Sequence, residues 1–197
     1  LTERAVAGEE KRRQLLDAAV RVFARKGFHA SRVGDIAEEA GVAHGLLYHY
    51  FKSKDEVLEA VFHDNWSLLL ARIASVEETD ERAADQLRHI TAIVLRTWLH
   101  LPDVVRVVIR EFGRSPELSE RIGDLAQPIN SIARVIERGI ERGEFKKVDP
   151  RVAATVVYGS IDELLTAWVL DRLPSGEEDV AAAEQTLVEV SLRGLET

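Results

Sequence analysis

Between His44 and Lys54 the sequence HGLLYHYFKSK holds two imidazoles, two phenols and two ammonium groups, all of them donors that bind phosphate oxygens or base edges. In a helix starting at His44, the residues Leu47, Tyr50 and Phe51 share one face by their i, i+3, i+4 relation. That leaves His44, Gly45, Leu46, Tyr48 and His49 facing outward. Such a face can enter a DNA major groove. His44 and Leu46 stand at the helix start, which approaches base edges, and Tyr48 and His49 carry groups suited to phosphate oxygens. Lys52 and Lys54 add charge at the start of the next helix, where the amino-terminal dipole adds more.

Other chemistries lack their residues. The chain has no cysteine, which excludes disulfides, thiolate zinc sites and a Cys nucleophile. His63, His89 and His100 are scattered without HExxH or another ligand spacing, so no metal is expected. Ser160 follows Gly159 but lacks the G-x-S-x-G elbow, and no helix pairs a nucleophile with a base; no catalytic residue and no cofactor are expected. Two alternatives stay open: a helical enzyme on an apolar substrate, for which Asp162 and Glu163 are the only adjacent acids in the most apolar helix, and a helical protein-binding adaptor. Arg106, Arg110 and Glu111 read as intrahelical pairing on a wet surface.

The outward face needs helices to hold it. Leu15, Leu16, Ala19, Val22 and Phe23 form one apolar stripe over Lys11 to Lys26, ended by Gly27. Ser31 reads as the N-cap of a short second helix that turns Val33, Ile36 and Ala37 inward. Small Ala37 lets the second and third helices cross closely, Ile36 and Leu47 seal the contact, and Gly41 takes the positive dihedral of the turn. Ser53-Lys54-Asp55-Glu56 is a capping box for a long helix to about Ser75. Further helices are expected at 80–100, at 103–112, from Ser115-Pro116-Glu117 to Gly143 with a kink at Pro128, from Pro150 to about Arg172, and from Glu177 to Arg193. The expected fold is all-α with about nine helices: a three-helix helix-turn-helix domain over 1–53, and a larger helical domain over 54–197.

The net charge of −8 over 197 residues seems to oppose DNA binding, since a polyanion needs local positive charge. Its distribution resolves the conflict: residues 1–54 carry ten Lys/Arg against seven acids, leaving +3 there and −11 for the rest. No apolar run is read as long enough to cross a bilayer, and residues 1–14 lack a signal-peptide core. A soluble, cytoplasmic protein with no membrane partner is expected. The chain starts at Leu1 without methionine, so some natural amino-terminal residues are expected to precede it.

The amino-terminal pattern Gly27-Phe28, Ser31, Val33-Gly34-Asp35-Ile36-Ala37, Ala40-Gly41-Val42 and Leu47-Tyr48-His49-Tyr50-Phe51-Lys52-Ser53-Lys54 resembles that of the TetR family of repressors over about the first 55 residues. The resemblance implies an all-helical fold with a three-helix DNA-binding domain and a variable, dimerising, ligand-holding carboxyl domain. It also implies that Ser31 and Arg32 contact phosphate, that His44 and Leu46 read bases, and that Tyr48, His49 and Lys54 bind the DNA backbone. Ala43 departs from the usual capping Ser or Thr. Leu46 replaces a frequent polar residue, which points to readout of a thymine methyl.

Residues 150–170 are apolar nearly all round, so they need burial on more than one side. The subunit's core is one side. With Val180, Ala183, Leu187, Val188, Val190 and Leu195 of the last helix, a partner subunit is the other, giving a four-helix homodimer interface suited to a pseudo-palindromic operator. A pocket for a small-molecule, hydrophobic effector is expected among the middle helices, lined by Trp66, Trp98, Val105, Ile109, Ile129, Ile132, Tyr158, Leu165 and Trp168. Residues 106–172, through Glu144-Phe145 and Val148-Asp149-Pro150, look like the fatty-acid-degradation regulators of the same family, which implies an acyl-CoA. The expected function is a dimeric repressor released from DNA by that effector.

Overall fold

The structure is a computed structural model that describes residues 3–112 and 126–196. Nine helices run through the described residues: α1 (Glu3–Lys26), α2 (Val33–Glu39), α3 (His44–Tyr50), α4 (Lys54–Glu77), α5 (Ala83–His100), α6 (Pro102–Phe112), α7 (Gln127–Glu141), α8 (Pro150–Val169) and α9 (Glu177–Leu195). The all-α expectation holds, and the only extended pairing among the described residues is one antiparallel bridge between Phe145 and Glu196. The chain forms two compact units, Leu1–Trp66 with Arg106–Gly123, and Ser67–Val105 with Asp124–Thr197. The helix start read at Ser115-Pro116-Glu117 lies outside the described residues.

In the first unit the α1 stripe of Leu15, Leu16, Ala19, Val22 and Phe23 is buried with Ile36, Ala37, Leu47 and Phe51. Gly27 (φ +79°) ends α1 and Gly41 (φ +65°) turns α2 into α3, both in the left-handed region that favours glycine. An ionic ladder fastens α2 to α1: Arg21 Nε and Arg25 Nη2 donate to the Glu39 carboxylate at 2.8 and 2.9 Å, and Lys26 Nζ to Asp35 at 2.8 Å. These partners hold both carboxyls below their usual range, Glu39 chiefly through Arg21 and Asp35 chiefly through Lys26. No periodicity argument had singled out these pairs.

Three local expectations change. The N-cap of α2 is Arg32, one residue later than expected. The Ser31 hydroxyl donates instead to Gly27 O at 2.6 Å, and Asp35 reaches back to accept from Arg32 N at 2.8 Å. At the start of α4, Ser53 Oγ accepts from Glu56 N as a cap should, but the Glu56 carboxylate takes the amide of Lys52 rather than that of Ser53. Glu111 is not on a wet surface. It is buried, facing Phe28 N at 3.4 Å, while Arg110 Nη1 donates to Ala24 O at 3.0 Å. The end of α6 thus satisfies backbone groups at the carboxyl end of α1, where helix carbonyls lack intrahelical donors.

In the second unit α5 packs against α7, α8 and α9, and α7 lies along α8. Gln86, buried on α5, donates to the carbonyls of Val76 and Thr79 at 3.0 and 2.9 Å, closing the end of α4. Arg134 pairs with Glu77 at 2.8 Å and holds its carboxyl below the usual range. Glu144 caps α5 by accepting from Ala83 N at 2.8 Å. Gly139 is there for space: a Cβ would sit 2.7 Å from Phe145 Cε2 and 2.8 Å from Ala83 Cβ.

Pro128 makes no kink. It lies in the first turn of α7, where a helix needs no donor from it. Asp149 caps α8 by accepting from Arg151 N and Val152 N at 2.9 and 3.0 Å, with Pro150 at N1. The reading of apolar runs is corrected as well. At 20 residues and a mean hydropathy of 1.2, α8 is long and apolar enough to span a bilayer. Its Ala154, Val157, Ile161 and Trp168 are nevertheless buried within the second unit.

Candidate nucleic-acid interface

The outward face of α3 is built from below. Leu47 is fully buried against α2, Phe51 is buried at the C-cap, and Tyr50 is half-buried. His44, Gly45, Tyr48 and His49 are exposed and Leu46 half-exposed, so the structure brings together the five residues that helical spacing placed there. Ala43 is the N-cap and supplies no side-chain bond, as its type dictates. The first turn therefore has only the backbone carbonyl of that residue, which accepts from Leu46 N at 2.9 Å, and no side-chain oxygen.

Two ring contacts order the face. His44 and Tyr48 lie with centroids 5.5 Å apart at 59°, and His49 meets Tyr50 edge-on at 5.4 Å. The His44 ring also rests on the backbone of Gly34, where a Cβ would stand 3.2 Å from His44 Cε1. In the sequence Gly34 stands out only as part of the family pattern Val33-Gly34-Asp35-Ile36-Ala37. Its signal was a glycine inside a short helix, where it costs stability unless something needs the space.

The flanking residues divide. Arg32 and Lys52 are exposed on either side of α3 in sequence. Ser31 is buried with its hydroxyl on Gly27 O, and Lys54 Nζ points into the unit, donating to Phe28 O at 2.7 Å and Ser31 O at 2.9 Å. Elsewhere in the first unit, Arg21, Arg25 and Lys26 pair with acids in the ladder, and Arg12 with Asp64 at 2.8 Å.

The nine effector candidates also divide. Trp98, Trp168, Ile132 and Val105 are buried. The two indoles pack 6.2 Å apart, and Trp98 Nε1 donates to Ser175 O at 3.2 Å, so this pair ties the α8–α9 loop to the core. Trp66, Ile109, Ile129, Tyr158 and Leu165 are half-buried. Burial pushes the Tyr158 hydroxyl up to about 12, with Asp162 adding to the shift. Among the described residues Trp66 Nε1 is buried without an acceptor, and an unpaired donor costs free energy until something accepts from it.

The α8–α9 face is narrower than the sequence implied. Val180 and Leu195 are buried in the subunit's own core. Ala183, Leu187 and Val190 meet Val156, Gly159 and Ser160 along an apolar groove of about 790 Å³. Val156 and Val190 are 64% and 68% exposed on that groove, a contiguous apolar surface of the kind that marks an interaction site.

Comparison with known proteins agrees with both parts. Residues 15–61 match the family described as bacterial regulatory proteins, tetR family, and residues 80–195 match the tetracyclin repressor-like C-terminal domain. The fatty acid metabolism regulator protein of Bacillus subtilis (strain 168) is 30% identical over 189 residues, covering 92% of this chain and 94% of that protein. Among solved structures, the transcriptional regulator FadR from Bacillus subtilis in complex with stearoyl-CoA superposes with a TM-score of 0.80 at 30% identity, over 92% of this chain and 97% of that one. A transcriptional regulator from Saccharomonospora viridis in complex with choline superposes with a TM-score of 0.82 at 26% identity, over 96% and 99%. With both regions matched in order along one chain, this protein belongs to the TetR family of bacterial regulatory proteins, as a dimeric, effector-responsive DNA-binding transcription regulator.

Proposed function

We propose that this regulator is a repressor that a long-chain acyl-CoA releases from a pseudo-palindromic operator. The observation that carries the DNA half is the exposed, ring-ordered face of α3, with His44, Gly45, Leu46, Tyr48 and His49 outward. Arg32 and Lys52 flank it and contact phosphate; Ser31 and Lys54 support it from within. Residues 1–53 form the reading head and residues 54–197 the effector and dimer domain. The protein is a regulator without catalytic activity and works in the cytoplasm.

Support for the effector comes from the similar Bacillus subtilis protein, whose structure holds stearoyl-CoA. In this chain Trp66 offers a buried N–H that has no acceptor among the described residues, suited to a carbonyl oxygen of such a ligand. Ligand acts by binding the DNA-free arrangement of the dimer more tightly than the DNA-bound one. The test selects a duplex from a random-sequence library with the protein, then titrates the complex by fluorescence anisotropy. Stearoyl-CoA should release the duplex while choline and free CoA do not. Unchanged affinity at saturating stearoyl-CoA rules out the effector class, and failure to enrich any duplex at moderate salt rules out the repressor reading.

A further inference from the structure

Lys54 stands at the first position of α4, where a lysine beside a DNA-reading helix would ordinarily be taken for a phosphate contact. Its surroundings say otherwise. Nζ lies 2.7 Å from Phe28 O, 2.9 Å from Ser31 O and 3.4 Å from His29 O. It also sits 4.3 Å from the centroid of the Phe28 ring, within range of a cation–π attraction. An ammonium has three protons and no other donor; three carbonyls use all of them. A phosphate could be served only by breaking this set.

The carbonyls belong to one short corner, the link between Gly27 at the end of α1 and Arg32 at the start of α2. Ser31 N bonds to Phe28 O at 3.2 Å and Ser31 Oγ to Gly27 O, so the corner closes on itself, with Lys54 as the charge that gathers its oxygens. Beyond Ser31 comes Arg32, exposed, with its backbone N–H held by Asp35. Carbonyl dipoles converging without a cation would repel one another, and the corner would open at the residue that carries Arg32.

We infer that Lys54 is a positioning residue: its ammonium closes the Phe28–Ser31 corner and so places Arg32 for DNA, making no phosphate contact of its own. This rests on the reading of Arg32 as a phosphate contact. The experiment is a double-mutant cycle read as the salt dependence of DNA affinity, using the duplex selected by the wild-type protein. Each phosphate contact contributes about 0.9 to the slope of log K against log salt.

Arg32→Ala alone should lower the slope by about one contact. Lys54→Met alone should lower it by the same amount, and the double variant should fall no further, because the same contact is lost in each. A further drop of about 0.9 in the double variant means that Lys54 binds phosphate independently and overturns the inference. An unchanged slope for Lys54→Met, with only a lower melting temperature, shows a merely structural role and overturns it too.

An unchanged slope for Arg32→Ala removes the contact that Lys54 is said to place; that outcome rejects the Arg32 reading, and the inference with it. Lys54→Gln keeps two N–H donors without charge, and guards against misfolding of the methionine variant. It should lower the slope by the same single contact and fall no further when combined with Arg32→Ala, whereas an independent phosphate contact at Lys54 would add a second drop of about 0.9 in that pair.

Discussion

Single residues in this chain carry more than one demand, and the structure shows which wins. Lys54 and Ser31 have polar groups fit for phosphate, yet both face carbonyls nearer at hand. Asp162 shows the reverse conflict. Its side chain reaches solvent, but the apolar wall of α8 desolvates the carboxylate, and Glu163 beside it adds repulsion, so its carboxyl is pushed up. A carboxyl whose folded value is raised binds its proton more tightly when folded. It costs stability at neutral pH, and the cost fades as pH falls toward the unfolded value of about 4. Asp162→Asn should therefore raise the melting temperature at neutral pH, with the gain shrinking toward about pH 4. Thermal melts across that range check it; an equal gain at all pH values would refute it.

At the scale of elements, the helix ends decide more than propensity does. Asp149 and Ser53 cap α8 and α4 with side-chain oxygens, whereas α3 begins at Ala43 with none. Ala43→Ser should supply the missing acceptor and stabilise the first unit by about 1 kcal/mol. The check is a higher melting temperature with slower amide exchange at Gly45 and Leu46. No gain would mean that the backbone there is already satisfied by other means. The stripes of α1 and α2, the glycine turns and the start of α8 at Pro150 were legible in the sequence because each is a local rule about spacing or a single residue type. The Arg21, Arg25 and Lys26 ladder was not, since nothing in the sequence says which face of α1 meets Glu39 and Asp35.

At the scale of the molecule, the apolar groove of α8 and α9 calls for a second subunit, and its exposed valines are where that demand concentrates. Val156→Glu with Val190→Glu places charges on an interface that must be dry, at a cost of several kcal/mol. Sedimentation should show a monomer, and affinity for a two-half-site duplex should fall by more than about tenfold as one half-site is lost. A variant that stays dimeric would place the interface elsewhere.

The sequence by itself determined the helical class, the crossing of α2 and α3, and the outward set on α3. All of these follow from residue type at 3.6-residue period and from a few glycines and caps. Only the tertiary structure decided which polar groups of this region are bonded within the protein, as Ser31 and Lys54 are. Hydrogen bonds are short-ranged, and whether Lys54 meets a phosphate or three carbonyls depends on a corner more than twenty residues away in the chain. The same holds for the last helix. Its apolar residues were all visible, but which ones the subunit keeps for itself, Val180 and Leu195, and which it leaves for a partner, Val190, was decided by the packing of α5, α8 and α9.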